Sequence, residues 1–319
     1  MSRRPVRGVL LGWLASTGLA LAAHAADPAD GDPVFDLDRL DRDAPVSIRS
    51  EELEATERDG IRTLVFEGNV EVEQGDLWIR AGRIEATYPA GARQPSRLRG
   101  RGGVRVGQGD REARCARVDY DRATEKLVCR GDAFLRDGAD ELRGDAIVFD
   151  LRARRVKVEG GTRVEIRPPS GAASDSRIPL EDLASGGPVQ IRSDSLEVEE
   201  TDAGRLLTFG GSVEIAQEDL TLRAQRVEAL YPRHADEPSL LSATGSVRID
   251  QPGREARCDE AVYDRIARRV DCRGAAQLQK GQDHLTGDEI TFDLADERLV
   301  VTGNTKLVLA PREPETARP

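Results

Sequence analysis

The sequence predicts an all-β protein in which one domain occurs twice. Three observations predict this class. Residues 46–167 and 189–310 align without a gap. Matching positions are 143 residues apart, as Cys115 and Cys258 are. Apolar residues within each copy recur at every second position over short runs, which is typical of strands with one buried face. Gly and Asp interrupt these runs at intervals of roughly ten residues, as antiparallel hairpins require.

The duplication covers a whole domain and therefore decides the architecture. Matching motifs are Ile48-Arg49-Ser50 with Ile191-Arg192-Ser193, Phe66-x-Gly68 with Phe209-x-Gly211, and Phe149-Asp150-Leu151 with Phe292-Asp293-Leu294. Neither copy contains a persuasive helix of three turns, and each has room for on the order of ten strands. Turns are predicted at 74–76, 136–138 and 280–282, where Gly lies beside polar residues.

The composition favours short, half-solvated strands over one large core. Hydrophobic residues make up 38% of the 319 residues and aromatic residues only 4%, while 33% are charged. Val, Leu, Ile and Ala supply most of the apolar fraction, which suits strands. The formal net charge of −11 argues against wholesale electrostatic binding to nucleic acid, so no nucleic-acid partner is expected.

The amino-terminal residues 1–25 resemble a secretory signal peptide. Three Arg lie within residues 3–7, an apolar run spans residues 9–23, and Ala23-His24-Ala25 is a small-x-small cleavage site. A retained membrane anchor is the alternative, but the run is short for a span and contains Ser16 and Thr17. We therefore expect an exported, periplasmic protein that begins at residue 26.

Three further segments have the composition of disordered chain. Residues 26–45 form an acidic leader with seven Asp, which we interpret as a solubilising segment. Residues 168–188 form a Pro/Gly/Ser-rich linker, and residues 311–319 form a polar tail. The two domains are accordingly predicted at 46–167 and 189–310.

The two copies differ in charge. The first holds 24 Lys or Arg against 23 Asp or Glu, and the second holds 15 against 23. Many of the Arg of the first copy cluster within residues 93–117 and 152–155. A solvated face and a contact with an anionic partner both fit this cluster.

All four cysteines lie in the duplicated hairpin. Cys115 and Cys129 belong to the first copy, and Cys258 and Cys272 to the second. An even number of Cys in an exported protein indicates disulfides. The 14-residue spacing and the lack of a CxxC motif argue against zinc, so no metal or cofactor is expected. If the hairpins centre near residues 122 and 265, the two cysteines of each pair face each other directly.

No constellation of residues points to catalysis. Only His234 and His284 remain after the predicted signal peptide, and both are expected on turns. The acid pair Asp288-Glu289 is also expected on a turn, facing solvent. No P-loop or dinucleotide pattern precedes a helix. The sequence therefore predicts that the protein is not an enzyme.

The strand motifs resemble those of a known family. In the second copy they run Ile191-x-Ser193-Asp194, Phe209-x-Gly211-x-Val213, Leu220-x-Leu222-x-Ala224, Ala243-x-Gly245-x-Val247, Tyr263-Asp264, Cys272-x-Gly274 and Leu285-x-Gly287-Asp288. In the first copy they include Phe66-x-Gly68-x-Val70, Leu77-x-Ile79-x-Ala81, Tyr120-Asp121 and Leu142-x-Gly144-Asp145. Their order and spacing are similar to those of the OstA-like domain of the LptA family, whose members are periplasmic lipopolysaccharide-transport proteins.

The resemblance implies a fold and a function. It implies two tandem open β-jellyroll domains, each a V of two antiparallel sheets around an apolar groove that holds acyl chains. It also implies a bridge, joined edge strand to edge strand, from an inner-membrane LptC-like protein to an outer-membrane LptD-like protein, with head-to-tail self-assembly as a further arrangement. Most members carry one such domain, whereas this chain carries two, and the cysteine pairs are not part of the minimal pattern.

The best alternating runs supply the candidate residues that line the groove. In the first copy these are Phe66, Val70, Val72, Leu77, Ile79, Val104, Val106, Phe149 and Leu151. In the second they are Phe209, Val213, Ile215, Leu220, Leu222, Val247, Ile249, Phe292 and Leu294. The same residues would form the core of an ordinary sandwich if the sheets closed on each other. A scaffold that assembles through its edges without carrying lipid is the alternative function.

The cysteine spacing yields a direct test. We predict the disulfides Cys115–Cys129 and Cys258–Cys272, and a non-reducing peptide map should recover these two pairs alone. A peptide that joins Cys115 to Cys258 or to Cys272 would refute the pairing.

Overall fold

The computed structural model describes residues 45–310, apart from 168–186 and the single positions 203, 234, 236 and 297. The predicted signal peptide at 1–25, nearly all of the acidic leader, most of the linker and the tail at 311–319 lie outside the described residues.

Every regular element in the described part of the chain is a β-strand. The strands before the linker are β1 (Ser47–Arg49), β2 (Glu52–Arg58), β3 (Ile61–Gln74), β4 (Leu77–Tyr88), β5 (Arg97–Gln108), β6 (Arg111–Asp121), β7 (Lys126–Asp137), β8 (Asp140–Asp150) and β9 (Arg155–Ile166). Those after it are β10 (Val189–Thr201), β11 (Gly204–Gln217), β12 (Leu220–Pro232), β13 (Leu240–Gln251), β14 (Arg254–Asp264), β15 (Arg269–Lys280), β16 (Asp283–Asp293), β17 (Arg298–Thr302) and β18 (Lys306–Val308).

The strands fall into two compact units. Among the described residues, those up to Gly138 together with Arg143–Val156 form the first unit. Ala139–Leu142 and the residues from Lys157 onward form the second. No helix of the described chain is long and apolar enough to span a bilayer.

Each unit is built from consecutive antiparallel pairs. In the first unit, β3 pairs with both β1 and β2, and β3 to β7 then pair in chain order. In the second unit, β10 to β16 pair in chain order, and β16 pairs with both β17 and β18. The predicted turns near residues 75, 138 and 281 each join neighbouring strands. The all-β, antiparallel, open-jellyroll class predicted from the sequence is confirmed.

A β-bulge interrupts these pairs near the middle of the long strands. In the first unit the register shifts after Glu67, Arg80, Arg101 and Arg114, and matching shifts occur in the second unit. A bulge bends its strand and increases its twist. Since the bulges lie side by side, the ladder of each unit bends along one line, which we call the crease.

The bulges also keep one face of the ladder apolar throughout. On β4 the buried side chains are Leu77 and Ala81 before the shift, and Ala86 and Tyr88 after it, so the inward positions change from odd to even. An uninterrupted strand with this sequence would turn its second half to the opposite face, because side chains alternate strictly along a strand. The extra residue therefore places both halves of the strand on a single inner face.

Glycine makes these bends possible. Gly274 has φ +77°, in the left-handed region, and Ala275 beside it has φ +46°. A Cβ atom at Gly274 would lie 2.8 Å from the Cβ of Asp259 on the neighbouring strand. That atom is fixed by the backbone of β14 and cannot move away, so position 274 requires Gly on two counts.

The disulfides have the predicted partners but not the predicted register. Cys115 is bonded to Cys129 and Cys258 to Cys272, each with a Cα–Cα distance of 5.8 Å. The prediction that the cysteines face each other directly is wrong, because Cys272 is opposite Ala261. The turn holds four residues, 265–268, and Cys258 lies within the bulge, so the bond crosses the crease diagonally.

Two predicted turn positions are strand positions instead. His284 is the second residue of β16, and Asp288-Glu289 lies in the middle of the same strand, whereas His234 lies outside the described residues. Asp288 accepts hydrogen bonds from the Nδ2 atom of Asn304 at 3.0 and 3.1 Å. Gly followed by Asp is typical of a turn, but Gly287 and Asp288 lie within β16, at the crease, opposite the bulge of β15.

Two glycine substitutions test the role of the crease. Gly274→Ala and Gly281→Ala both place a side chain at positive φ, +77° and +60°. Each change costs about 1–2 kcal/mol for that reason alone. Nothing lies within 4 Å of a Cβ at Gly281, whereas Gly274 is crowded by Asp259. We expect Gly274→Ala to lower the free energy of unfolding by about 1–3 kcal/mol more than Gly281→Ala, measured by urea denaturation. Equal losses would contradict a steric requirement at the crease.

Candidate functional site

The inner face of the second unit carries three apolar rows that run across the strands. The Leu222 row joins directly paired residues on one side of the crease: Ile191, Ile215, Leu222, Ile249, Ala256, Leu278, Leu285 and Leu307. The Val227 row lies on the other side of the crease: Leu196, Phe209, Val227, Ala243, Ala261, Cys272, Ile290 and Val301. The Leu241 row lies beyond it: Val198, Leu207, Ala229, Leu241, Tyr263, Val270, Phe292 and Leu299.

Burial differs sharply among these rows. From Leu196 to Ile290 every side chain of the Val227 row is buried, and Phe209 is only 1% exposed. The Leu222 row is half-buried at each position from Ile215 to Leu285. The Leu241 row is half-buried at most of its positions. The apolar face is thus closed beside the crease and open on either side of it, as expected of a groove with a packed floor and accessible walls.

The first unit has corresponding apolar residues, but their burial differs: Ile84 and Val118 are half-buried, whereas their counterparts Val227 and Ala261 are buried. Phe66, Val70 and Val72 form one buried cluster, although a bulge separates Phe66 from the other two residues. Ile79 and Val106 are directly paired and half-buried. The first unit therefore also has half-buried apolar side chains on its inner face.

Burial divides the predicted groove residues into two groups. Those that are buried are Phe66, Val70, Val72, Leu77, Val104, Phe149, Phe209, Val213, Leu220, Val247 and Leu294. Those that are half-buried are Ile79, Val106, Leu151, Ile215, Leu222, Ile249 and Phe292. The second group has surface available for a ligand, whereas the first group offers little.

Sequence reasoning does not single out several members of the open rows. Ala256, Leu278 and Leu285 continue the Leu222 row, and Leu241 and Val270 belong to the Leu241 row. All five obey the same period of two, which is the signal that could have found them. Their runs are shorter, and several lie beside the cysteine hairpin, where charged residues dominate.

In each unit an arginine and a tyrosine lie opposite each other at one border of the inner face. The Arg62 guanidinium lies 4.7 Å from the ring centroid of Tyr88, and Arg205 lies 5.1 Å from that of Tyr231. Burial raises the pKa of both phenols, and the adjacent guanidinium lowers it by a smaller amount. Both tyrosines therefore remain neutral at physiological pH, and the pair places a cation at the border of the apolar surface.

The inner face has the chemistry of an apolar binding surface. Within the part of the chain that the structure describes, no group of three or more His, Cys, Asp or Glu side chains could hold a metal ion. The three rows consist almost entirely of aliphatic and aromatic side chains. Such a surface suits the burial of an apolar ligand.

One family model matches the chain twice. The model describes the LptA/(LptD N-terminal domain) LPS transport protein family, and it matches residues 47–155 and 190–298. The protein belongs to this family. The open apolar rows therefore lie on the inner face of a member of a lipopolysaccharide-transport family.

A solved structure is also similar to this chain. It is LptH, the LptA-homologous periplasmic component of the lipopolysaccharide transport device from Pseudomonas aeruginosa, at 18% identity and a TM-score of 0.31. The match covers 44% of this chain and 93% of that one. No curated protein matches the chain.

Proposed function

We propose that this protein is a periplasmic bridge that binds lipopolysaccharide in its apolar groove and passes it from the inner to the outer membrane during outer-membrane assembly. The observation that carries the proposal is the half-buried Leu222 row, which offers apolar surface on the inner face of a protein of this transport family. The predicted signal peptide supports the location.

Acyl chains suit the open rows energetically. Each buried CH₂ group contributes about 0.8 kcal/mol, so several chains of lipid A would be held firmly without any polar contact. The rows repeat across neighbouring strands, so a lipid that moves along them exchanges one set of contacts for a similar set. Transport along the groove needs no covalent step, and we infer that the protein acts as a carrier and not as an enzyme.

The exposed edge strands support a role in assembly. β2 is exposed along its whole length, and Val300 on β17 and Val308 on β18 are 38% and 45% exposed. Uncovered edges are normally an aggregation liability. They suit joining by β-augmentation, and we propose LptC-like and LptD-like proteins, or further copies of this chain, as the partners.

The exposed edges also favour one competing function. A periplasmic scaffold would use the same edge strands for assembly but would leave the groove empty. The two functions make the same prediction for the edges and opposite predictions for the groove, so the groove experiment decides between them.

A photo-crosslinker at Leu222 tests lipid carriage. With the probe at Leu222 or Ile249, irradiation of the protein with lipopolysaccharide should give a protein–lipid adduct, because both side chains are half-buried on the inner face. Adducts would be detected by immunoblotting and mass spectrometry.

The matched control places the same probe at Arg223, which adjoins Leu222 but is exposed on the opposite face. Little or no adduct is expected there. Failure to obtain adducts at any position of the Leu222 and Leu241 rows, in protein with an unchanged circular dichroism spectrum, would rule out carriage and leave the scaffold.

Charged residues on the carboxy-terminal edge test assembly. Val300→Lys with Val308→Lys should weaken binding to an isolated LptD-like amino-terminal domain by about tenfold or more, because desolvating two ammonium groups opposes strand addition. Binding would be measured by surface plasmon resonance. Ile266→Lys is the control, since Ile266 is 80% exposed but lies in the β14–β15 turn. If the edge variant binds like the control, assembly does not use this edge.

A further inference from the structure

The outer face of the first unit carries two rows of directly opposed arginines. The first row, paired in register across β4 to β7, consists of Arg83, Arg101, Arg117 and Arg130. The second row, on the other side of the crease and paired across β4 to β6, consists of Arg80, Arg105 and Arg114. Like charges directly opposite each other destabilise a sheet. These rows therefore need a physical explanation.

Four of these arginines have no anionic partner within the described residues. They are Arg101, Arg105, Arg117 and Arg130, all of which are exposed, and we call them the arginine face.

The remaining three arginines of the rows are engaged. Arg80 pairs with Glu71, and Arg83 pairs with Glu67. Arg114 stacks on Phe134, with its guanidinium carbon 4.1 Å from the ring centroid. The uncompensated charges of the rows are therefore concentrated on β5, β6 and β7.

The second unit shows that the fold does not need this face. At the four matching positions, 143 residues further on, it has Thr244, Arg248, Glu260 and Arg273. Both of these arginines are paired: the Nε atom of Arg248 donates to Asp250 at 2.9 Å, and that of Arg273 to Glu289 at 2.8 Å.

The first unit lacks two of the acids that neutralise the second. Gly107 stands at the position that matches Asp250, and Ala146 at the position that matches Glu289. The same framework thus carries a self-neutralised face in one copy and an uncompensated cationic face in the other. An anion from outside the sheet would balance the cationic face.

The chain itself holds an anion of suitable charge. Residues 27–43 contain seven Asp and two Arg, which gives a net charge of −5. This segment lies outside the described residues, and it joins the first unit at β1, which begins at Ser47. Arginine suits carboxylates because its planar guanidinium can donate to both carboxylate oxygens at once.

The distances permit this contact within one molecule. Arg49 on β1 begins the cross-strand row that continues through Glu71 and Arg80 to Arg105 and Arg114. At about 4.8 Å per strand, β7, which carries Arg130, lies about 24 Å from β1. The stretch from residue 36 to residue 43 spans about 25 Å when extended. Its four Asp residues can therefore reach from β1 across the arginine face.

We propose that the acidic segment 27–43 docks on the arginine face of its own molecule. The segment then does more than solubilise the chain: it neutralises the opposed arginines and covers a cationic surface that would otherwise bind other anions. This inference does not depend on lipid carriage, because the arginine face lies on the outer face of the sheet, opposite the groove.

Arginine footprinting tests the contact from one side. The exported protein would be treated with a dicarbonyl reagent, and the modification rate at each Arg would be measured by mass spectrometry. The test variant replaces four acids: Asp36→Asn, Asp38→Asn, Asp41→Asn and Asp43→Asn. In this variant the modification rates at the arginine face should rise at least about threefold. A few exposed ion pairs of modest strength would protect the arginines by about this factor. High salt should raise the rates in the unsubstituted protein to the same level.

Controls in the same chain make the footprint specific. The rates at Arg248 and Arg273 should not change. Neutralising the linker acids by Asp175→Asn, Glu181→Gln and Asp182→Asn should leave the arginine face protected. Equal rates with and without the four Asp, or an equal response to the linker variant, would overturn the proposal. So would protection that depends on protein concentration, which indicates a second copy, or protection that is lost only when bound anionic lipid is extracted.

Proteolysis tests the contact from the other side. The probe is an endoproteinase that cuts before Asp. In the double variant Arg101→Gln, Arg117→Gln, its rate of cleavage within residues 27–43 should rise at least about threefold, as in the footprint. Arg248→Gln with Arg273→Gln is the matched control and should leave cleavage unchanged. Unchanged cleavage in the first variant would show that the segment does not rest on the arginine face.

Discussion

The line of bulges is the constraint on which the rest of the structure depends. With strictly alternating side chains, strands of this sequence would form a ladder without a sharp bend, and their apolar residues would change faces at the middle. The extra residue at each bulge bends the strand and restores the inward direction of its second half. The buried floor, the half-buried rows beside it and the diagonal disulfides all follow from this geometry. Gly274, with its positive φ and the close approach of Asp259, shows why the bend depends on glycine.

Much of this architecture could be predicted from the sequence, because the duplication and the period of two are strong signals. The strands, the turns and the disulfide partners follow from them. The register does not follow, since a period of two does not reveal where an extra residue is inserted. The direct opposition expected of Cys258 and Cys272 is wrong for that reason, and so is the turn expected at Asp288-Glu289, which lies within β16.

The candidate site was predictable as a set of residues but not as a surface. Val213 and Ile215 share a strand and a face, yet the first is buried and the second half-buried. Their difference arises from the packing around each position, which is a property of the folded ladder and not of the local pattern, because Val72, which matches Ile215, is buried. The position of Leu278 in the Leu222 row is likewise hidden, because cross-strand neighbours are distant in sequence.

The direction of the Leu222 row has a consequence for the motion of any cargo. The row runs across the strands, so its surface repeats with the strand spacing of about 4.8 Å. A chain that slides along it meets a shallow, regularly corrugated free-energy profile with no single deep minimum. Such a surface retains an apolar molecule while imposing little friction and no preferred direction. In the proposed transport, the direction of travel would then be set at the ends of the path, by whatever supplies cargo at one end and removes it at the other.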